Sequence, residues 1–253
     1  MLMSSSVALI KRQNLLQAVQ TELPRGCPLT TEAMRGQGVS SALAYHYLKS
    51  GWLVRLERGV FAFPHDKLQR DACIKLLATR LSGLHVGGKT ALGWRGFRHN
   101  LAVRERLVLW GDARGKLPAW FLAQFPARYV SKHLFSAELP KDFGLKPLPE
   151  TADGALVSVP ERALLEMLSD VGQQQGVEEA RHIMELLVSI RGDVLGVLLK
   201  CCVRVKVVRL CVTWSEDLGL PWAATARKAA ARNLGRGKWS GFTRDGKRLI
   251  LKA

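Results

Sequence analysis

Acidic side chains are scarce in this chain of 253 residues: 21 Asp and Glu stand against 38 Lys and Arg, a formal net charge of +17 at pH 7. The deficit counts against the carboxylate cluster of a metal-dependent nuclease. The surplus points to a polyanionic partner. Cysteines number five, an odd count, and none forms a C-x-x-C pair matched by histidines. A disulfide framework or zinc site is therefore not expected, and free thiols in a reducing cytoplasm are. Long apolar runs are missing as well. The most apolar stretch, residues 194–203, is interrupted by Lys200 and is too short to cross a bilayer. The first residues lack the basic start and unbroken apolar core of a secretory signal. There is no G-x-S-x-G, and His85, His99 and His133 are scattered without metal spacing. The expectation is a soluble cytoplasmic protein that is not an enzyme, with no cofactor, no metal and no membrane partner.

What is present centres on residues 29–63. A short helical stretch at 30–37 opens on threonines suited to cap it, and Gly38 stops it. A second helix starts near residue 39 with serine caps. Its residues Val39, Leu43, Ala44, Tyr47 and Leu48 fall on one side at 100° per residue, and Gly51 ends it. Two β-type runs, 52–56 and 60–63, are joined by Glu57-Arg58-Gly59. Helix, tight turn, helix and basic hairpin in this order outline a winged helix-turn-helix. The outward positions Ser40, Ser41, Ala42, Tyr45, His46 and Lys49 would then enter a major groove, with Arg55 and Arg58 on the wing. The bland alternative is a small helical domain with a solvated face that docks protein.

Elsewhere the signals are coarser. A helix at 6–20, with Leu9, Leu16 and Val19 inward, should complete the winged domain's core, and another at 67–81 should bury Ala72, Leu76 and Leu77. Strand, Gly87-Gly88 and a helix near Thr90 form a glycine-rich turn that could cradle phosphate. Its spacing matches neither G-x-x-x-x-G-K-[ST] nor G-x-G-x-x-G, so a tight turn for close packing is the preferred reading. Strands are expected at 107–110 and 127–133. Asp112 and Lys116 resemble fragments of a nuclease site but form no set. Ser158-Val159-Pro160-Glu161 reads as a capping box launching a helix whose stripe is Ala163, Leu164, Met167 and Leu168. Helices at 177–189, 193–202 and 205–214 follow, as in a packed bundle.

Charge is uneven along the chain. Residues 151–200 hold 4 basic against 8 acidic side chains, whereas residues 201–253 hold 12 against 3. A helix at 222–234 places Arg227, Lys228 and Arg232 on roughly one face, with Ala223, Ala226, Ala230 and Leu234 behind. Arg236, Lys238, Arg244, Lys247 and Arg248 follow, around a hairpin signalled by Asp245-Gly246. This basic region is either a solvated face or a surface for a polyanion. The fold class is α+β: a winged helix-turn-helix domain at 1–64, a mixed α/β region at 65–157, and a helical region with a basic tail at 158–253. The last two could form one domain.

Three stretches resemble the AbiEi family of antitoxins, the repressor half of type IV toxin–antitoxin pairs. They are Gly51-Trp52-Leu53-Val54-Arg55 with Arg58-Gly59-Val60-Phe61-Ala62, then His85-Val86-Gly87-Gly88-Lys89-Thr90-Ala91-Leu92, then Ser158-Val159-Pro160-Glu161-Arg162-Ala163-Leu164-Leu165-Glu166. Here Val159 separates the serine from the proline, a small departure from the family's Ser-Pro-Glu-Arg-Ala start. The resemblance implies an autorepressor on inverted repeats in its own promoter, monomeric in solution or dimeric on DNA. It also implies an antitoxin that counters a nucleotidyltransferase-like toxin without a stable complex. The family's antitoxin activity lies beyond the winged domain, which favours a function for Arg227, Lys228, Arg232, Arg236 and Lys238. The residues alone leave two alternatives open, a DNA-targeted nuclease and a protein-interaction adaptor.

Overall fold

The computed structural model describes residues 15, 17, 19–22, 24–98, 106–151, 153–244, 246 and 248–251. They fall into two compact units, one reaching Leu77 and including Pro118–Phe125, the other formed by Ala78–Leu117 and the chain from Pro126 onward.

In the first unit the chain enters through β1 (Leu29–Thr30) and turns directly into α1 (Thr31–Gly36). Thr30 makes both possible: its extended backbone closes the strand, and its hydroxyl accepts from Ala33 N at 3.0 Å to cap the helix. Gly38 takes φ +79°, which a side chain would resist, and reverses the chain into α2 (Ser41–Lys49), capped by Ser40 Oγ on Leu43 N at 3.2 Å. The hairpin β2 (Val54–Glu57) and β3 (Val60–Ala62) follows, with a bulge between Arg55 and Glu57 that re-aims the wing. Strand order is β1-β3-β2, all antiparallel. Strand β1 is two residues long and has no period to read, so sequence alone shows only the hairpin. The core is Val19, Leu29, Met34, Val39, Ala44, Tyr47, Leu53, Phe61 and Phe63, with Leu43 and Leu48 packed against it. That is the inward stripe expected of α2.

The first expected helix, 6–20, lies largely outside the described residues; within it Leu15, Gln17, Val19 and Gln20 are helical and Val19 is buried. Helix α3 (Arg70–Ala78) is shorter than expected and rotated. It buries Cys73, Ile74 and Leu77, while Ala72 and Leu76 are only half-buried, because the apolar Cys73 thiol and Ile74 fit the i, i+3, i+4 spacing about Leu77 better. Helix α5 (Ala119–Gln124) also belongs to this unit, with Phe121 fully buried and its ring 5.3 Å from that of Phe125.

The second unit is built on a five-stranded mixed sheet. The strands are β4 (His85–Val86), β5 (Leu107–Trp110), β6 (Ala127–Val130), β7 (Leu145–Lys146) and β8 (Val157–Ser158), ordered β6-β5-β4-β8-β7. Pairs β5/β6 and β4/β8 are parallel; β4/β5 and β7/β8 are antiparallel. Helix α4 (Gly88–Trp94) packs on α6 (Pro160–Asp170), and α7 (Val177–Glu185), α8 (Gly192–Cys201), α9 (Val205–Asp217) and α10 (Ala223–Ala230) complete a bundle around α6. A hairpin of β9 (Trp239–Phe242) and β10 (Arg248–Leu251) leans on α9.

Helix α6 departs from expectation in two ways. It is buried from Glu161 to Leu168 on every side, so its apolar stripe is only part of a wholly interior helix. Nor does it have a capping box. The N-cap is Val159, Ser158 Oγ donates instead to Glu166 Oε2 at 2.9 Å, and Glu161 accepts from Arg191 N, Nε and Nη2 at 2.8–2.9 Å. A carboxylate removed from water needs donors more than a helix end does, so the interior acids take them. Burial alone would raise the Glu161 carboxyl, but the Arg191 hydrogen bonds and charge hold it below its ordinary value.

Candidate nucleic-acid interface

The stripe that α2 turns inward leaves Ser41, Ala42, Tyr45, His46 and Lys49 exposed together, Tyr45 at 60%. The ammonium of Lys49 lies 5.6 Å from the centre of the Tyr45 ring, so the two side chains share one region of the helix surface. Helix α2 carries no carboxylate. Its outer face therefore offers hydroxyl, imidazole and ammonium groups without local repulsion of phosphate. Ser40 is also exposed, but its oxygen already serves as the cap acceptor. On the wing, Arg58 sits exposed at the hairpin turn, and Arg55 Nε donates to Glu57 O at 3.4 Å within the wing itself. Two side chains that sequence reasoning passed over lie between helix and wing: Trp52, 47% exposed, and Val54, 42% exposed. A tryptophan opening an alternating strand reads as core, and only the register, with Leu53 inward, turns it out.

The basic C-terminal residues are less concentrated than their spacing suggests. Helix α10 ends at Ala230, so Arg232 stands in the following turn and shares no helical face with Arg227 and Lys228. Asn233 holds that turn by donating to Leu199 O and Lys200 O at 2.9 and 2.7 Å. Arg227 is ion-paired with Glu216, its Nε donating to Oε1 at 2.6 Å, and part of its charge is thereby neutralised. Lys228, Arg232, Arg236 and Lys238 are exposed. Ala226 and Ala230 are buried behind them, whereas Ala223 and Leu234 are half-buried. Arg244 and Arg248 are exposed on the hairpin; Lys247 and Asp245 lie outside the described residues.

The glycine-rich turn after β4 is filled from within the chain. Gly88 N donates to Glu166 Oε2 at 2.9 Å, and a Cβ at Gly87 would collide with that carboxylate and with the Trp110 ring. The internal carboxylate occupies the place a phosphate would take, which bears out close packing as the reason for the two glycines. Among the described residues no three His, Cys, Asp or Glu side chains stand close enough to hold a metal ion, and no helix is long and apolar enough to cross a membrane.

Comparison with known proteins yields two family matches that together cover most of the chain. Residues 12–103 match the AbiEi antitoxin N-terminal domain of transcriptional regulators, and residues 104–248 match the model described as transcriptional regulator, AbiEi antitoxin, type IV toxin–antitoxin system. Among solved structures, the RV2827C protein from Mycobacterium tuberculosis is similar in fold, with a TM-score of 0.60 at 15% identity over 88% of this chain and 81% of that one. None of the curated proteins is a significant match.

Proposed function

The chain belongs to the AbiEi antitoxins, transcriptional regulators of type IV toxin–antitoxin systems, and on that premise we propose that it represses its own promoter through α2 and the wing. The observation that carries this reading is the outer face of α2, where Ser41, Tyr45, His46 and Lys49 are exposed on a helix free of acidic residues. Tyr45 and His46 read base edges in the major groove, Lys49 and Ser40 contact the backbone, and Ala42 meets a thymine methyl. Arg58, with Arg55 beside it, binds phosphate or the minor groove. Two copies on inverted repeats would present two such helices about one helical turn apart.

The test is binding to the DNA upstream of its own coding sequence against random DNA of equal length. Tyr45→Ala and His46→Ala should each cost about 1–3 kcal/mol on the operator and much less on random DNA. Arg58→Ala should weaken both and lower the slope of log K against log salt by about 0.9. Equal losses on both DNAs for Tyr45 and His46 would remove them from sequence reading.

The antitoxin part of the reading rests on the second unit. There Lys228, Arg232, Arg236 and Lys238 form an exposed basic surface for the polyanion on which a nucleotidyltransferase-like toxin acts, and neutralisation proceeds without a stable complex with the toxin. Arg227 contributes less, because Glu216 already answers its charge. Lys228, Arg232 and Arg236 changed together to Glu should leave circular dichroism unchanged and abolish growth rescue on toxin co-expression. Full rescue by the folded triple variant would make this surface a solvated face.

A further inference from the structure

The second and third motif stretches, 85–92 and 158–166, converge on one buried ionic cluster. Glu166, His85 and Arg162 are 1, 2 and 7% exposed. Glu166 Oε1 faces His85 Nε2 at 2.9 Å and Arg162 Nε at 3.0 Å, while its Oε2 accepts from Gly88 N and Ser158 Oγ, both at 2.9 Å. His85 Nδ1 lies 2.7 Å from Gly83 O, a carbonyl that can only accept, so Nδ1 carries a proton. The short Nε2–Oε1 contact requires one further proton shared by the pair. If that proton sits on the imidazole, the cluster is a cation, a carboxylate and the Arg162 cation; if it sits on Glu166, only Arg162 is charged. Either way the buried group carries one net positive charge. Isolated interior charge of this kind is costly unless something answers it.

A cavity of about 320 Å³ opens beside the cluster and is lined in part by His85, Arg162 and Glu166. That is the small end of the range for ligand sites. Three further features mark its wall. Arg162 Nη1 donates to Phe143 O and Lys141 O, but Nη2 donates to no group among the described residues. Trp110 Nε1 and Ser136 Oγ are buried without a hydrogen-bond partner among the described residues, as few buried polar atoms are. Lys132 and Lys141 also line the cavity, against Asp112. Lys132 shares the single carboxylate of Asp170 with Arg128, so that trio also leaves one positive charge over. With Lys141 and Asp112 offsetting each other, the cavity is surrounded by a surplus of about two positive charges. A phosphomonoester carries about −1.5 to −2 at pH 7.

We propose that this cavity binds a small phosphomonoester, of mononucleotide size or less, whose phosphate answers the surplus charge of the His85–Glu166–Arg162 cluster and draws donors from Arg162 and Lys141. Arg162 Nε and Nη1 are engaged within the protein, so its contribution is the remaining Nη2 and a guanidinium held 5.3 Å from the centre of the Phe135 ring. A charge-assisted hydrogen bond from that nitrogen suits a phosphate oxygen. The site is separate from the DNA-reading face and stands or falls independently of it.

The experiment titrates the full chain, freed of phosphate, with AMP, GMP, UMP and inorganic phosphate by calorimetry, with adenosine as the uncharged control. The indole N–H resonance of Trp110, assigned by Trp110→Phe, is followed in parallel. One-to-one saturation by a mononucleotide is expected, with none by adenosine, at least tenfold weakening in Lys141→Glu, and movement of the Trp110 resonance. Saturation by inorganic phosphate with the same Lys141 dependence would also support the site and identify the phosphate as its ligand group. Absence of saturable binding by every anion at millimolar concentration, or binding that leaves both Lys141→Glu and the Trp110 resonance unaffected, would overturn it. Lys141 is exposed on the rim, so its substitution tests the site without dismantling the cluster beneath.

Discussion

Glu166→Ala is expected to lower the stability of the second unit by about 3–5 kcal/mol, the usual consequence of removing one partner from a buried charge network. At roughly 2–4 °C per kcal/mol for a domain of this size, the loss should appear plainly in a thermal melt. The reason is the number of groups that depend on one carboxylate. His85, Arg162, Gly88 N and Ser158 Oγ all address it, and its removal leaves the buried Arg162 cation and three further polar groups without their shared acceptor. Glu166→Gln keeps the shape but not the charge, so it should fall between alanine and the native residue. A melting temperature for Glu166→Ala within a degree or two of the native value would show that the cluster is not a determinant of stability.

The same carboxylate sets the direction of acid sensitivity. Burial alone would raise it, yet His85, Arg162 and the Gly88 N–H hold Glu166 below the ordinary carboxylate range, and Arg191 does the same for Glu161. A depressed folded value means that the unfolded chain takes up the proton first as pH falls. The stabilisation is therefore complete above about pH 4.3, the unfolded glutamate value. It disappears as pH drops through the lower folded values. Melts from pH 7 to pH 3 should show a plateau followed by a steep decline, shallower in Glu166→Gln.

Arg209→Ala should release the C-terminal hairpin at a cost of about 3 kcal/mol, from loss of charged hydrogen bonds worth roughly 1.5–3 kcal/mol each, partly offset by relief of a buried charge. Arg209 is 1% exposed, on a helix that sequence reading treats simply as one more member of a bundle. Its guanidinium donates to Leu234 O at 2.6 Å, Gly237 O at 2.8 Å and Leu251 O at 3.0 Å, tying α9 to the turn after α10 and to the last described strand residue. Hydrogen exchange should locate the effect, with protection lost across 239–251 and retained in α6. Uniform loss across the unit would mean that Arg209 supports the whole bundle. Retention of hairpin protection would mean that the carbonyl contacts are dispensable.

The winged domain was legible because its evidence is local. Caps at Thr30 and Ser40, Gly38 and Gly51 at the breaks, and a 3.6-residue stripe over residues 39–48 each act within a few residues of chain, and backbone sterics enforce them. The exposed set on α2 followed from that stripe by subtraction. Long-range choices were not legible. Sequence alone read Ser158 as a cap and Glu161 as its partner; the tertiary structure gave both to interior networks, because a carboxylate out of water outcompetes a solvated helix end for donors. It likewise ended α10 before Arg232, through Asn233 reaching the carbonyls of α8. Composition foretold the positive charge. Only the folded chain decided where that charge stays free, as on Lys228, where an acid answers it, as for Arg227, and where it is buried beside a cavity. The physical reason is that periodicity records one element's own preference for burial, whereas the pairing of charges depends on which elements the fold brings within a few ångströms.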